Sequence, residues 1–136
     1  MSCPETAKLN QRVIVNGTFD ILHPGHVELL NFARSCGDFL LVAIDTDERV
    51  SQLKPGRPIN NQWDRRFILR NLKSVDKVVF FNSDEELLSL VKECDIMVKG
   101  SDYRGQPIIG SDCIEIKFYE RTEHSTTKII QRITDR

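Results

Sequence analysis

The chain has 136 residues, 40% hydrophobic and 29% charged, which is ordinary for a globular protein and provides for one domain rather than two. Its net charge of −1 sets up no overall field that would gather nucleic acid, so any phosphate ligand must be met by basic residues concentrated locally. No apolar stretch is long enough to cross a bilayer, and Met1-Ser2-Cys3-Pro4-Glu5-Thr6 has neither the basic nor the apolar part of a secretory signal.

Residues 1–10 read as a loose arm ahead of a single domain over 1–136. The apolar run at 12–16 predicts a strand. Residues 24–35 predict a helix whose Val27, Leu29, Leu30, Phe32 and Ala33 share a face, with Gly37 ending it as a C-cap glycine. Phe39 to Ile44 is continuously apolar, the mark of a strand covered on both faces of a parallel sheet. A proline- and glycine-rich loop follows at 53–60, then a helix at 61–72 and a strand at 77–81. Ser83-Asp84, with Glu85 and Glu86 in the first turn, opens a helix at 84–92. Strands at 96–98 and 114–118 and a helix at 126–133 close the chain. Strands alternating with helices predict an α/β fold, a parallel sheet with helices on both faces. Such sheets bind ligands beyond the carboxyl ends of their strands, where the strand order reverses. The four cysteines, Cys3, Cys36, Cys94 and Cys113, show no C-x-x-C spacing, which argues for reduced thiols and a cytoplasmic location.

The densest chemistry lies in Asn16-Gly17-Thr18-Phe19-Asp20-Ile21-Leu22-His23-Pro24-Gly25-His26-Val27. A strand delivers two imidazoles to the first turn of a helix, where unpaired N–H groups and the positive end of the dipole favour a phosphate. Taken alone, the two histidines read as well as helix caps or core groups. Gly25 lets the backbone approach a phosphate closely. Further along, Lys54 and Arg57 lie in the loop, and Arg65 and Arg66 open the next helix. Lys99-Gly100-Ser101-Asp102-Tyr103 follows a buried strand, where Asp102 either accepts from a ribose or base amine or closes an Asx turn. Ser125-Thr126-Thr127 before the last helix reads as a second phosphate nest or as an N-cap. No Ser-His-Asp or Cys-His nucleophile set is visible.

Gly17-Thr18-Phe19-Asp20 followed by His23-Pro24-Gly25-His26 resembles the His-x-Gly-His signature of the cytidylyltransferase-like nucleotidyltransferases. Arg121-Thr122-Glu123-His124-Ser125-Thr126-Thr127-Lys128-Ile129 is similar to that family's second signature, and Lys54 to Arg65 and Lys99 to Tyr103 fit between them in order. The resemblance implies a Rossmann-like five-stranded sheet of order 3-2-1-4-5 and transfer of a nucleotidyl group from a nucleoside triphosphate to a small phosphate monoester, with release of pyrophosphate. It also implies roles. His23, His26, Lys54 and Arg65 would be catalytic, the histidines donating to phosphate oxygens and the two cations gripping phosphates or acceptor. Gly17, Thr18, Phe19, Gly25, Lys99, Gly100, Asp102, Arg121, Ser125, Thr126 and Thr127 would bind the nucleotide. Asp20 steadies the loop or positions acceptor or metal, with the balance on the loop. The triphosphate implies Mg²⁺, which prefers substrate phosphates and water to a protein cage, so no metal ligand is assigned. Neither nucleic acid nor membrane is an expected partner; a homodimer would match the family. One departure stands out: the family places a residue or two, often with Gly, between the acidic position and Ser-Thr-Thr, and this chain has only His124.

The acceptor of such a transfer, a phosphate with a second pKa near ~6, is already largely anionic at pH 7. No proton need be abstracted, and catalysis reduces to positioning anions and stabilising the charge that builds between them. Arg121-Thr122-Glu123 with Ser-Thr-Thr-Lys-Ile looks most like cytidylyltransferases acting on glycerol 3-phosphate. Lys54 to Asn60, Lys99 to Tyr103 and Ile108-Ile109-Gly110 look more like heptose 1-phosphate adenylyltransferases and cover more of the chain, so adenylyl transfer to a sugar 1-phosphate leads. CTP:glycerol-3-phosphate transfer is the alternative. Flavin adenylyl transfer and a non-catalytic nucleotide-binding regulator stand further back.

Overall fold

Val13, Ile14 and Val15 are almost wholly withdrawn from solvent, and they alternate between two separate cores. That places β1 (Arg12–Gly17) in the middle of the molecule with cover on both faces. The computed structural model describes residues 10–120 and 126–135. In chain order the further elements are α1 (Pro24–Ser35), β2 (Phe39–Asp45), α2 (Asp47–Leu53), α3 (Gln62–Arg70), β3 (Lys77–Phe81), α4 (Asp84–Val91), β4 (Ile96–Gly100), a 3₁₀ turn (Ser101–Tyr103), β5 (Glu115–Tyr119) and α5 (Thr126–Thr134). The strands form one five-stranded sheet of order β3-β2-β1-β4-β5, with every neighbouring pair parallel. The expected Rossmann-like architecture and strand order are present.

The two faces are filled by different helices. Leu29, Leu30 and Ala33 of α1 and Leu69 of α3 pack with Val13, Val15, Leu40 and Val42 on one side. Leu87 and Val91 of α4 pack with Ile14, Leu41, Ala43 and Met97 on the other. β2 is buried at six of its seven positions, as its unbroken apolar run predicts.

Three details differ from the sequence reading. β1 and β4 run on to Gly17 and Gly100, which carries both strands to the edge of the site. α2 was not expected: it is only seven residues long and buries Val50 alone, so no apolar period reveals it, although Thr46 caps it ahead of Asp47 and Glu48. Gly37 does follow the end of α1, but not in the left-handed conformation of a C-cap glycine. A Cβ there would lie 2.5 Å from the Gln11 carbonyl oxygen, so close approach of backbone to backbone requires the glycine. The loose arm expected over 1–10 lies, but for Asn10, outside the described residues.

Candidate active site

β1 and β4 are neighbours whose connections leave in opposite directions, and a cleft of about 410 Å³ opens beyond their carboxyl ends. Gly17, Thr18, Phe19, His23 and His26 line it from the β1–α1 segment, and Lys99 and Gly100 from the end of β4. Lys54 reaches it from the end of α2, and Thr126 and Thr127 from the start of α5. Residues from four separate stretches of sequence thus meet at one place. Arg65, Gly25 and Asp102 do not line it. Arg121 and Ser125 lie outside the described residues.

The two histidines serve both readings that the sequence allows. His23 is the N-cap of α1 and its Nδ1 accepts from the Gly25 amide at 3.1 Å. The His26 Nδ1 accepts in turn from the His23 amide at 3.2 Å, completing a capping box built from imidazoles. The rings stack with centroids 3.8 Å apart, and the Phe19 ring supports His26 at 5.1 Å. Because each Nδ1 is engaged as an acceptor, the proton of each neutral ring resides on Nε2. The backbone has chosen the tautomer, and the pair presents Nε2–H donors at the positive end of α1. Gly25 contributes through its amide, which fixes His23.

Phe19 takes a φ of +51°, a strained conformation for a bulky residue. It folds its ring back over Gly17, where a Cβ would lie 3.1 Å from the Phe19 Cε2. Next to it the Asp20 carboxylate is buried and accepts from the Ile59 and Asn60 amides, each at 2.8 Å, and from the Arg57 Nε at 2.9 Å. Burial alone would raise this carboxyl. The Asn60 and Ile59 amides and the Arg57 guanidinium outweigh it and hold Asp20 below its usual value. Asp20 therefore clasps the loop that carries Lys54 and Arg57, the structural role the sequence favoured for it.

Arg65 is 1% exposed. Its guanidinium donates to the carbonyls of Thr18 (2.9 Å), Asp45 (2.8 Å) and Asn60 (3.0 Å) and pairs with the Asp47 carboxylate at 2.7 Å. It is placed as a buried node tying the ends of β1 and β2 to the 54–61 loop, and it acts on the cleft through the residues it holds. Asp102 stands exposed on the 3₁₀ turn, where its carbonyl accepts from the Gln106 side chain at 2.9 Å. Thr126 donates its hydroxyl to the Ile21 carbonyl at 3.0 Å, which seats the start of α5 against the segment leading into α1.

Asn16, Asp45 and Arg49 also line the cleft, and the sequence assigned them no role. Asp45 pairs with Arg49 at 3.1 Å, and burial pushes its carboxyl above the usual value against the pull of that arginine. Arg49 also reaches Asp84 at 2.7 Å. Asp45 ends a buried strand at the carboxyl edge of the sheet, a position that can be read from sequence; Arg49, inside the unforeseen α2, gives no such signal. The Lys99 ammonium lies 4.5 Å from the centre of the Tyr103 ring. Among the described residues no group of three or more His, Cys, Asp or Glu is arranged to hold a metal ion. The two cleft carboxylates, Asp20 and Asp45, are engaged by arginines. Among the described residues, such a donor set suits a divalent ion carried in on a polyphosphate and water. Among the described residues no helix is long and apolar enough to cross a membrane.

An open parallel sheet with an imidazole-capped helix at its switch point defines a nucleotide-handling α/β domain. Residues 14–132 match the profile of the cytidylyltransferase-like family, and the chain belongs to it and is a nucleotidyltransferase. It is 46% identical over 126 residues to the bifunctional protein HldE of a Nitratiruptor species, covering 89% of this chain and 27% of that protein. With the bifunctional protein HldE of Campylobacter concisus it shares 46% over 127 residues, 90% of this chain and 27% of that protein. The chain thus spans about a quarter of the length of these curated relatives. Among solved structures it resembles the lipopolysaccharide core biosynthesis protein from Thermoplasma volcanium, with a TM-score of 0.64 and 26% identity. That match covers 85% of this chain and 98% of the other.

Proposed function

We propose that this domain transfers the adenylyl group of ATP to a heptose 1-phosphate, releasing pyrophosphate and forming an ADP-sugar. The observation that carries nucleotidyl transfer is the pair of imidazoles whose tautomers are fixed by the α1 backbone at the mouth of the cleft. The acceptor reading is supported by the loops Lys54 to Asn60 and Lys99 to Tyr103, which are similar to those of heptose 1-phosphate adenylyltransferases. It is supported too by the relatives named HldE, 44–46% identical over this stretch, and by the neighbour from lipopolysaccharide core biosynthesis.

In this reading an oxygen of the acceptor's phosphate attacks the α-phosphorus of ATP. A bond forms there as the bond from the α-phosphorus to the bridging oxygen breaks, and that oxygen leaves with pyrophosphate. The acceptor oxygen is already anionic, so no side chain removes a proton. His23 and His26 donate from Nε2 to the phosphate oxygens as charge builds on them, the amide end of α1 adds its partial charge, and Lys54 screens the approach of two anions. A Mg²⁺ ion carried by the triphosphate would supply further neutralisation.

The test is pyrophosphate release with Mg²⁺, offering ATP or CTP in turn with heptose 1-phosphate or glycerol 3-phosphate. Release with ATP and the sugar phosphate alone is the expected result. Release with CTP and glycerol 3-phosphate alone would replace it with the reading favoured by Arg121-Thr122-Glu123 and Ser-Thr-Thr.

A further inference from the structure

The cleft has two sides, and only one of them carries the histidines. Ile14, Ala43 and Met97 belong to the core on the α4 side of the sheet. Side chains two residues further along a strand face the same way, so Asn16 of β1, Asp45 of β2 and Lys99 of β4 also face α4. All three line the cleft, forming a polar row across the carboxyl edge of the sheet. Phe81, Leu87, Ile108 and Ile109 add an apolar wall. α1, with His23 and His26 at its start, packs on the opposite face.

Within the row, Asp45 is paired with Arg49 and Lys99 lies against Tyr103. Asn16 is different. Its Oδ1 is buried and meets no hydrogen-bond partner among the described residues. A buried carbonyl oxygen left unmet is costly, and a native fold that keeps one calls for an explanation. An amide is a poor phosphate ligand beside a lysine. It suits a hydroxyl, which both donates and accepts and so answers the amide whichever way it is turned. A triphosphate seated at the N-terminus of α1 would leave the α4 side of the cleft for the acceptor.

We infer that the acceptor's sugar sits on the α4 side of β1 and that Asn16 is a specificity-determining residue which hydrogen-bonds one of its hydroxyls. This rests on the transfer to a sugar phosphate proposed above. A site built to pair with a hydroxyl discriminates strongly against ligands lacking it, whereas an apolar wall alone discriminates weakly.

The test is steady-state kinetics of Asn16→Leu, which keeps the shape and removes the amide, and of Asn16→Ser, which keeps a short polar group, each alongside a thermal melt. The KM for the sugar 1-phosphate should rise about tenfold in Asn16→Leu, the loss of one hydrogen bond, and recover in part in Asn16→Ser. The KM for ATP should stay within about twofold of the wild type, and Asn16→Leu should melt no lower. An unchanged acceptor KM, or an equal rise in both KM values, overturns the inference while leaving the proposed reaction intact. If the wild type instead uses only glycerol 3-phosphate, the proposed reaction fails. The same comparison with that acceptor, which also carries hydroxyls, then decides the role of Asn16 independently.

Discussion

The imidazoles of His23 and His26 lie stacked at 3.8 Å while each Nδ1 accepts an amide hydrogen from the first turn of α1. Capping therefore occupies one nitrogen of each ring, and the proposed chemistry falls to the other. The two roles separate by substitution. Asn at position 23 keeps a capping oxygen, so His23→Asn should hold stability within about 0.5 kcal/mol, whereas His23→Ala should lose about 1 kcal/mol. Both variants should lose kcat by ~100- to 1,000-fold, the effect of removing one preorganised donor to a developing charge. Urea titrations and pyrophosphate-release rates on the same preparations check this; a His23→Asn enzyme of normal kcat would reduce the histidine to a cap.

Arg65 should behave as a structural node. Its removal strands the carbonyls of Thr18, Asp45 and Asn60 and the Asp47 carboxylate. Arg65→Ala should cost more than about 3 kcal/mol in urea unfolding. Arg65→Lys should recover little of it, because an ammonium cannot reproduce the planar fork that reaches several acceptors at once. A stable Arg65→Ala protein with only a raised KM would mean that the side chain turns outward to grip substrate.

Asp20 makes stability depend on pH in a defined direction. Its carboxyl titrates below its usual 3.8 in the folded protein, so folding favours the charged form. The contribution is complete above that usual value and is lost as the pH falls through the folded value. The stability gap between wild type and Asp20→Asn should be flat from about pH 8 to about pH 5 and shrink below about pH 4. The check is urea midpoints of both proteins across that range, and a gap that widens on acidification contradicts the loop clasp.

Gly37→Ala tests the close approach behind α1. The new Cβ would meet the Gln11 carbonyl oxygen at 2.5 Å and Val13 Cγ2 at 2.9 Å, and the first is backbone of the segment entering β1. Destabilisation of about 1–3 kcal/mol is expected, with kcat per folded molecule unchanged because the contact lies away from the cleft. Chemical unfolding paired with an active-site-normalised rate distinguishes this from an effect on the site.

Local signals carried much of the fold. The unbroken apolar run of β2, the acidic first turn of α4 after Ser83, and the imidazoles on either side of Pro24-Gly25 each express a short-range rule, and each predicted element is found close to its expected bounds. α2 escaped because seven residues with one buried side chain carry no period. Arg65 read as a substrate-gripping cation because sequence gives charge without burial. Only packing reveals that its guanidinium is closed off by the carbonyl of nearby Asn60 and by those of Thr18 and Asp45 from distant segments.

By itself, then, the sequence determined the alternation of strands and helices, the phosphate-favouring start of α1, and the family pattern that joins them. These depend on backbone preferences and side-chain periods within a few residues of one another. The tertiary structure decided that Arg65 is buried against Thr18 and Asp45, that Asp20 holds the 54–61 loop, and that Asn16, Asp45 and Lys99 stand in one row. Those relationships join residues tens of positions apart, and they exist only once sheet register and burial have fixed who faces whom.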